Sequence, residues 1–172
     1  SALQNVADNG LEDKIEVRLA NGLAAFEPAD GISCITIAGM GGRLIADILA
    51  AGLEKLANVS RLVLQPNNLE DELRAWLVDN DFRIVDEAIL EENEKFYEIL
   101  VVEQGSQELT AMELRFGPYL MREQTPAFVQ KWSKEVEKLA FALEQVPVEN
   151  QSARASLEER IAQIKEVLNA SK

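Results

Sequence analysis

Three short passages of this 172-residue chain hold the side chains best suited to bind a ligand, and each follows a strand-like run. Ala20-Asn21-Gly22-Leu23 joins an amide, which donates and accepts hydrogen bonds in one plane, to a glycine that permits a tight turn. Ala38-Gly39-Met40-Gly41-Gly42 has three glycines in four positions, which lets a ligand approach the main chain and its amides. Gln65-Pro66-Asn67-Asn68 sets amide side chains around a proline turn, a donor-and-acceptor set suited to a neutral base edge. Each passage has a plainer use. Asn-Gly ends strands, glycines let a helix pack closely on a strand, and Asn67 or Asn68 can cap the helix that follows.

Composition narrows the chemistry. There is no histidine, so Ser-His-Asp and Cys-His nucleophile pairs, a histidine base and histidine-ligated zinc are excluded within these residues. Cys34 is the only cysteine and cannot form an intramolecular disulfide. It alternates into a strand interior and is expected to be a small core residue. No run of 18 apolar residues suggests a membrane span. The glycine passage lacks the Gly-Lys-Ser/Thr of a phosphate loop and the full G-x-G-x-x-G spacing, since Leu44 stands at the third site.

The elements that must position these passages alternate in type. Ser1–Asn9 reads as a helix stopped by Asn9-Gly10, and Lys14–Leu19 alternates like a strand. Gly31–Ala38 is a β-branched run expected to be buried on both faces, followed by a helix over Arg43–Ala51. Arg61–Leu64 is a strand and Leu69–Asp79 a helix. Phe82–Ile89 and Phe96–Val102 read as an antiparallel hairpin. Strand–helix alternation implies a parallel α/β sheet, here ending in that hairpin. The chain opens in a helix with no strand before it, and is expected to be N-terminally incomplete.

After Gly105 the pattern changes. Phe128, Trp132, Val136, Leu139, Leu143 and Val146 follow a near-heptad seam, which Leu157, Ile161, Ile164 and Leu168 continue beyond Pro147. This predicts an antiparallel helical hairpin, with Trp132 packing in the seam rather than stacking on a base. Residues 1–105 are therefore read as one domain and 106–172 as a second. Of the net charge of −13, the first segment carries −12 and the second only −1. Lys131, Lys134 and Lys138 share one helix face in the second segment, a stripe able to contact phosphates. Glu135 and Glu137 lie among them, as in any soluble coiled coil.

The run SALQNVADNGLEDKIEVRLANGL resembles the helix and third strand of class I S-adenosylmethionine-dependent methyltransferases. Taken with ITIAGMGG, LQPN, KFYEI and Arg115-Phe116-Gly117-Pro118, it resembles one bacterial family, the TrmK tRNA adenine-N1 methyltransferases, over essentially the whole chain. The resemblance implies a Rossmann-like sheet lacking its first strands, a C-terminal coiled-coil hairpin, and methylation of adenine 22 in the tRNA D-arm. The family's glycine-rich first loop and its ribose-binding acid are not present before Ser1.

Carried over by position, Asn21, Gly22 and Leu23 would line the adenine end of S-adenosylmethionine, and Ala38, Gly39, Met40, Gly41 and Gly42 its methionine and sulfonium end. Gln65 and Asn67 would contact the flipped base, with Arg43, Lys131, Lys134 and Lys138 on the tRNA. The expected partners are tRNA and the methyl donor, without a membrane, in a cytoplasmic monomer or weak dimer. Two alternatives stand beside this reading: an NAD(P)-binding Rossmann oxidoreductase and a non-enzymatic coiled-coil interaction module.

Overall fold

The computed structural model describes residues 1–170. Its sheet has four strands, β1 (Cys34–Met40), β2 (Arg61–Pro66), β3 (Phe82–Glu92) and β4 (Lys95–Gln104), in the order β1-β2-β4-β3. β1 and β2 are parallel, joined through helix α2 (Gly42–Ala51), and the β3–β4 hairpin adds antiparallel with β4 against β2. Leu62, Leu64, Leu100 and Val102 on one sheet face pack against Ile45 and Leu49 of α2 and Leu73 and Leu77 of α3 (Glu70–Asp79). The period-2 pattern of β2 and β4 delivers these residues to one side, which is why the core forms there.

Three expectations for the N-terminal part fail. Residues 14–19 form no strand, and Leu19 is fully exposed. A strand needs a neighbour for its backbone groups, and no strand among the described residues lies beside this segment. It is tied instead by Arg18, which donates to Asp30 at 2.6 Å and to the carbonyl of Ala25 at 3.1 Å. The run ending at Ala38 is not buried on both faces, and among the described residues β1 has a strand neighbour on one side only, β2. Only Ile37 of β1 is buried, and Cys34 is exposed rather than in the core. Helix α1 (Ala2–Asp8) forms as expected but buries nothing.

Beyond β4 come two short helices, α4 (Ala111–Phe116) and α5 (Leu120–Glu123), then α6 (Pro126–Gln145) and α7 (Gln151–Asn169). α6 starts on Pro126 with Thr125 capping the Phe128 N–H, and α7 starts with Asn150 capping Ala153. The two fold back antiparallel around Phe128, Trp132, Leu139, Ile164 and Val167, which form a second core with Phe116 and Leu120. Arg154 closes the turn by donating to the carbonyls of Leu143 and Val146.

A buried charge network joins the two cores. Arg74 of α3 is fully buried, with Nε donating to Glu87 of β3 at 2.8 Å and Nη2 to Glu98 of β4 at 2.5 Å. Its Nη1 donates to the Leu114 carbonyl at the end of α4. The other Glu87 oxygen accepts from the Tyr119 N–H, and the other Glu98 oxygen accepts from Lys131 of α6 at 2.6 Å. Lys131 also reaches Glu70 at 3.3 Å. Every charged atom therefore has a partner, without which burial would be prohibitive. Gly117, with φ of 83°, lies directly over it: a Cβ there would come within 2.7 Å of Glu87 and 2.8 Å of Arg74.

Burial would by itself raise the Glu98 carboxyl, but Arg74 and Lys131 outweigh it and hold its pKa below the ordinary value. Stability linked to Glu98 is therefore present above the unfolded carboxyl pKa of about 4.3 and lost as pH falls through the lower folded value. Urea unfolding across pH 2–7 should show an acid loss that Glu98→Gln lacks. Arg74→Ala, which strands the buried Glu87 carboxylate and leaves Glu98 with Lys131 alone, should cost about 3–5 kcal/mol at neutral pH; a cost under about 1 kcal/mol, the range of an exposed pair, would contradict the network.

Candidate methyl-transfer site

The carboxyl ends of β1 and β2 meet in one unit. Ala38 pairs with Gln65 and Met40 with Pro66, so Gly39 is an extra residue that bulges out of a parallel ladder. Bulges leave a residue unpaired and recur beside active sites. Gly39 has φ of 76°, a conformation glycine adopts freely, and a Cβ there would meet nothing within 4 Å. Its N–H, freed from the ladder, donates to Gln65 Oε1 at 2.8 Å. Gln65 Nε2 in turn donates to the Pro66 carbonyl and to Asn67 Oδ1, at 2.9 and 3.1 Å. Gln65 thus clips one strand end to the other.

Gly41 and Gly42 have a different task. A Cβ on Gly42 would overlap the Leu69 carbonyl and come within 2.9 Å of the Asn68 carbonyl, to which the Gly42 N–H donates. A Cβ on Gly41 would meet Asn68 Oδ1 at 2.9 Å. These glycines let α2 start against the second loop, while Gly39 keeps an open side. The same contact accompanies an unusual entry to α3. Neither Asn67 nor Asn68 caps that helix; Leu69 stands at its N-cap with φ of 53° and no side-chain cap. A branched residue in the left-handed region is strained and needs its surroundings to hold it.

Asn21, Gly22 and Leu23 lie elsewhere on the same helix layer. They line a recess of about 390 Å³ against Leu44, Asp47, Ile48 and Lys55, and do not join Gly39 in one cavity. Leu23 is buried in the core and packs on Gly52. Lys55 holds the passage in place by donating to the carbonyls of Phe26 and Leu23 at 2.7 and 3.3 Å.

Beside the Gln65–Asn68 loop opens a wider cleft of about 840 Å³, between Asn67, Asn68 and the β3–β4 turn on one side and α4, α6 and α7 on the other. Lys95, Arg115, Lys131, Lys134, Lys138 and Arg160 line it, against four carboxylates, Glu70, Asp71, Glu94 and Glu135. The excess of cations contrasts with a chain of net charge −13. The three lysines of the α6 stripe share this cleft but not one role. Lys131 is committed to Glu98 and Glu70, with burial lowering its pKa less than these carboxylates raise it, so it offers no free ammonium. Lys134 faces Glu91 at 3.7 Å and Phe96, and Lys138 lies near Glu135 at 3.5 Å and is largely exposed. Arg43, on α2, pairs with Glu72 outside the cleft.

The α/β sheet with a glycine bulge at its strand ends and an appended helical hairpin defines a Rossmann-like methyltransferase fold. The profile of the TrmK family, tRNA (adenine(22)-N(1))-methyltransferase, matches residues 1–166. The tRNA (adenine(22)-N(1))-methyltransferase of Bacillus subtilis strain 168 is 36% identical over 98% of this chain and 75% of its own length. The crystal structure of a Streptococcus pneumoniae protein assigned as a candidate tRNA (m1A22) methyltransferase superposes with TM-score 0.96 at 63% identity, over 98% of this chain and 76% of that one. A second S. pneumoniae structure, in complex with S-adenosyl-L-methionine, gives 0.90 at 62%, over 98% and 75%. The chain belongs to the TrmK family. The oxidoreductase and interaction-module alternatives are set aside.

The open Gly39 backbone leaves room for a ligand to approach the main chain at this strand end. The two glycine roles separate by substitution. Gly42→Ala, which overlaps main chain, should destabilise the fold by about 1–3 kcal/mol in urea unfolding. Gly39→Ala should weaken S-adenosylhomocysteine binding in calorimetric titration by more than its stability cost, roughly 1–2 kcal/mol for the left-handed conformation, explains. Equal effects on binding and stability for both variants would contradict the assignment.

Proposed function

We propose that the loops at the ends of β1 and β2 carry out S-adenosylmethionine-dependent methylation of adenine 22 N1 in tRNA. The observation that carries this reading is the glycine bulge at Gly39, open on its ligand side and clipped by Gln65 to an amide-rich loop that borders a cationic cleft. S-adenosylmethionine, when bound, supplies an electrophilic methyl group. Ala38 to Gly42 would hold its methionine end along the open backbone, and Asn21 to Leu23 its adenine end in the recess on α2. Gln65 keeps the Gly39 main chain fixed, and Asn67, exposed at the loop, presents an amide to the target base. Adenine N1 would attack the methyl carbon with its own lone pair as the sulfur–methyl bond breaks and S-adenosylhomocysteine leaves, so positioning rather than a general base does the work. Unstacking the base from folded RNA costs a few kcal/mol, which contacts to the rest of the tRNA must offset.

The two hydrophobic cores support a division of labour, with residues 1–105 holding the reaction and 106–172 positioning tRNA through Lys134 and Lys138. Arg43 adds a largely exposed cation beside the glycine loop. No helix among the described residues is long and apolar enough to cross a membrane. The reading includes a cytoplasmic protein acting as a monomer or weak dimer.

Nucleoside mass spectrometry tests the activity. The full-length protein with S-adenosylmethionine should form 1-methyladenosine in an unmodified tRNA transcript, and none when position 22 is guanosine. Methylation of both transcripts, or of neither, would overturn the reading. Gln65→Ala, which unclips the two loops, should lower kcat by roughly 10- to 100-fold with the fold retained, the scale expected of a misplaced reacting group.

A further inference from the structure

Of the six cations lining the cleft between the sheet and the hairpin, Lys95 and Arg115 make no salt bridge among the described residues, and of these two only Arg115 is withdrawn from solvent, Lys95 being exposed. Lys131, Lys134, Lys138 and Arg160 each pair with a glutamate. Arg115, at the end of α4, makes no salt bridge among the described residues, although the chain has 30 carboxylates to offer. It is half-buried, with its guanidinium carbon 5.0 Å from the Phe116 ring centroid and 5.8 Å from that of Trp132. Only one of its nitrogens has a partner among the described residues, donating to Gln163 Oε1.

A second donor beside it is also unused. Trp132, nine-tenths buried and lining the same cleft, has no partner for its indole N–H among the described residues. Burial and then the neighbouring Arg160 disfavour the Arg115 charge, and Glu135 and Asp71 only partly offset them. An anion entering the cleft would restore the balance. A guanidinium set against aromatic rings with most of its fork unused is suited to bidentate capture of phosphate oxygens.

We propose that Arg115 binds a phosphodiester of the tRNA backbone, with Arg160 as a second cation beside it. This places a phosphate subsite at the junction of the two cores, next to Asn67 and Asn68 of the reaction loops. It rests on the methyltransferase reading and adds a residue that fixes the register of the RNA. Phosphate contacts position a nucleic acid without reading its sequence.

The test is fluorescence anisotropy of labelled, unmodified tRNA on the full-length protein across a salt series. Arg115→Gln should raise Kd roughly tenfold at about 0.1 M KCl and reduce the log–log salt slope by about 0.7–1. S-adenosylhomocysteine affinity and the thermal midpoint should stay unchanged. Arg115→Lys should recover the slope but not the full affinity, and Arg83→Gln, remote from the cleft, should match the wild type. An unchanged slope with Kd within twofold of wild type would overturn the proposal, as would an affinity loss that tracks a fall in the thermal midpoint. A wild-type protein that binds S-adenosylhomocysteine but no tRNA would instead overturn the methyltransferase reading on which the proposal rests.

Discussion

The geometry of the site depends on a set of charges buried where the sheet meets the helical hairpin. Arg74, Glu87, Glu98 and Lys131 come from α3, β3, β4 and α6, and backbone groups of Leu114 and Tyr119 complete their hydrogen bonding. Two cations and two carboxylates out of water contribute little net stability over an apolar core of the same volume. Their effect is directional. A Leu or Phe contact tolerates sliding, whereas a guanidinium committed to three acceptors fixes the elements that supply them. The cleft has its width because α6 is held to β4 by Lys131 and α4 to α3 by Arg74.

The network also explains two features that look unrelated to it. Gly117 in the Arg115-Phe116-Gly117-Pro118 turn is needed because any side chain would enter the Arg74–Glu87 pair. That turn then sets Arg115 at the cleft and Phe116 in the second core. Lys131 belongs to the same helix face as Lys134 and Lys138, but one turn nearer the sheet, and is consumed by structure while Lys138 stays exposed. A stripe that is uniform in sequence is graded in function by its distance from Glu98.

Much of the fold was legible from local pattern. The β2 and β4 alternation, the β3–β4 hairpin and the seam of α6 and α7 all follow from periods that a short window contains. The failures have tertiary causes. Lys14–Leu19 alternates like a strand but has no strand beside it among the described residues, and the β-branched run at Cys34 forms a strand that buries only Ile37. Glu98 stands between Phe96 and Leu100 at strand spacing, so its inward direction could have been read. Glu87 could not: the register shift between Ile84 and Asp86 reverses the alternation and turns Glu87 rather than Asp86 inward. The site was legible as motifs but not as contacts. The glycines were visible; that Gly39 is open while Gly41 and Gly42 pack against Asn68 and Leu69 depends on two loops 26 residues apart in sequence.

If the network makes sheet and hairpin one cooperative unit, native-state hydrogen exchange should show it directly. Amides in the middle of α6 and in β4 should open with the same free energy in the wild type. In Lys131→Met, which keeps Arg74 paired with both glutamates but cuts the link to α6, the α6 amides should exchange through a separate, lower-energy opening while β2 and β4 keep their protection. Separate opening energies in the wild type, or an equal loss of protection in sheet and hairpin in the variant, would contradict the account.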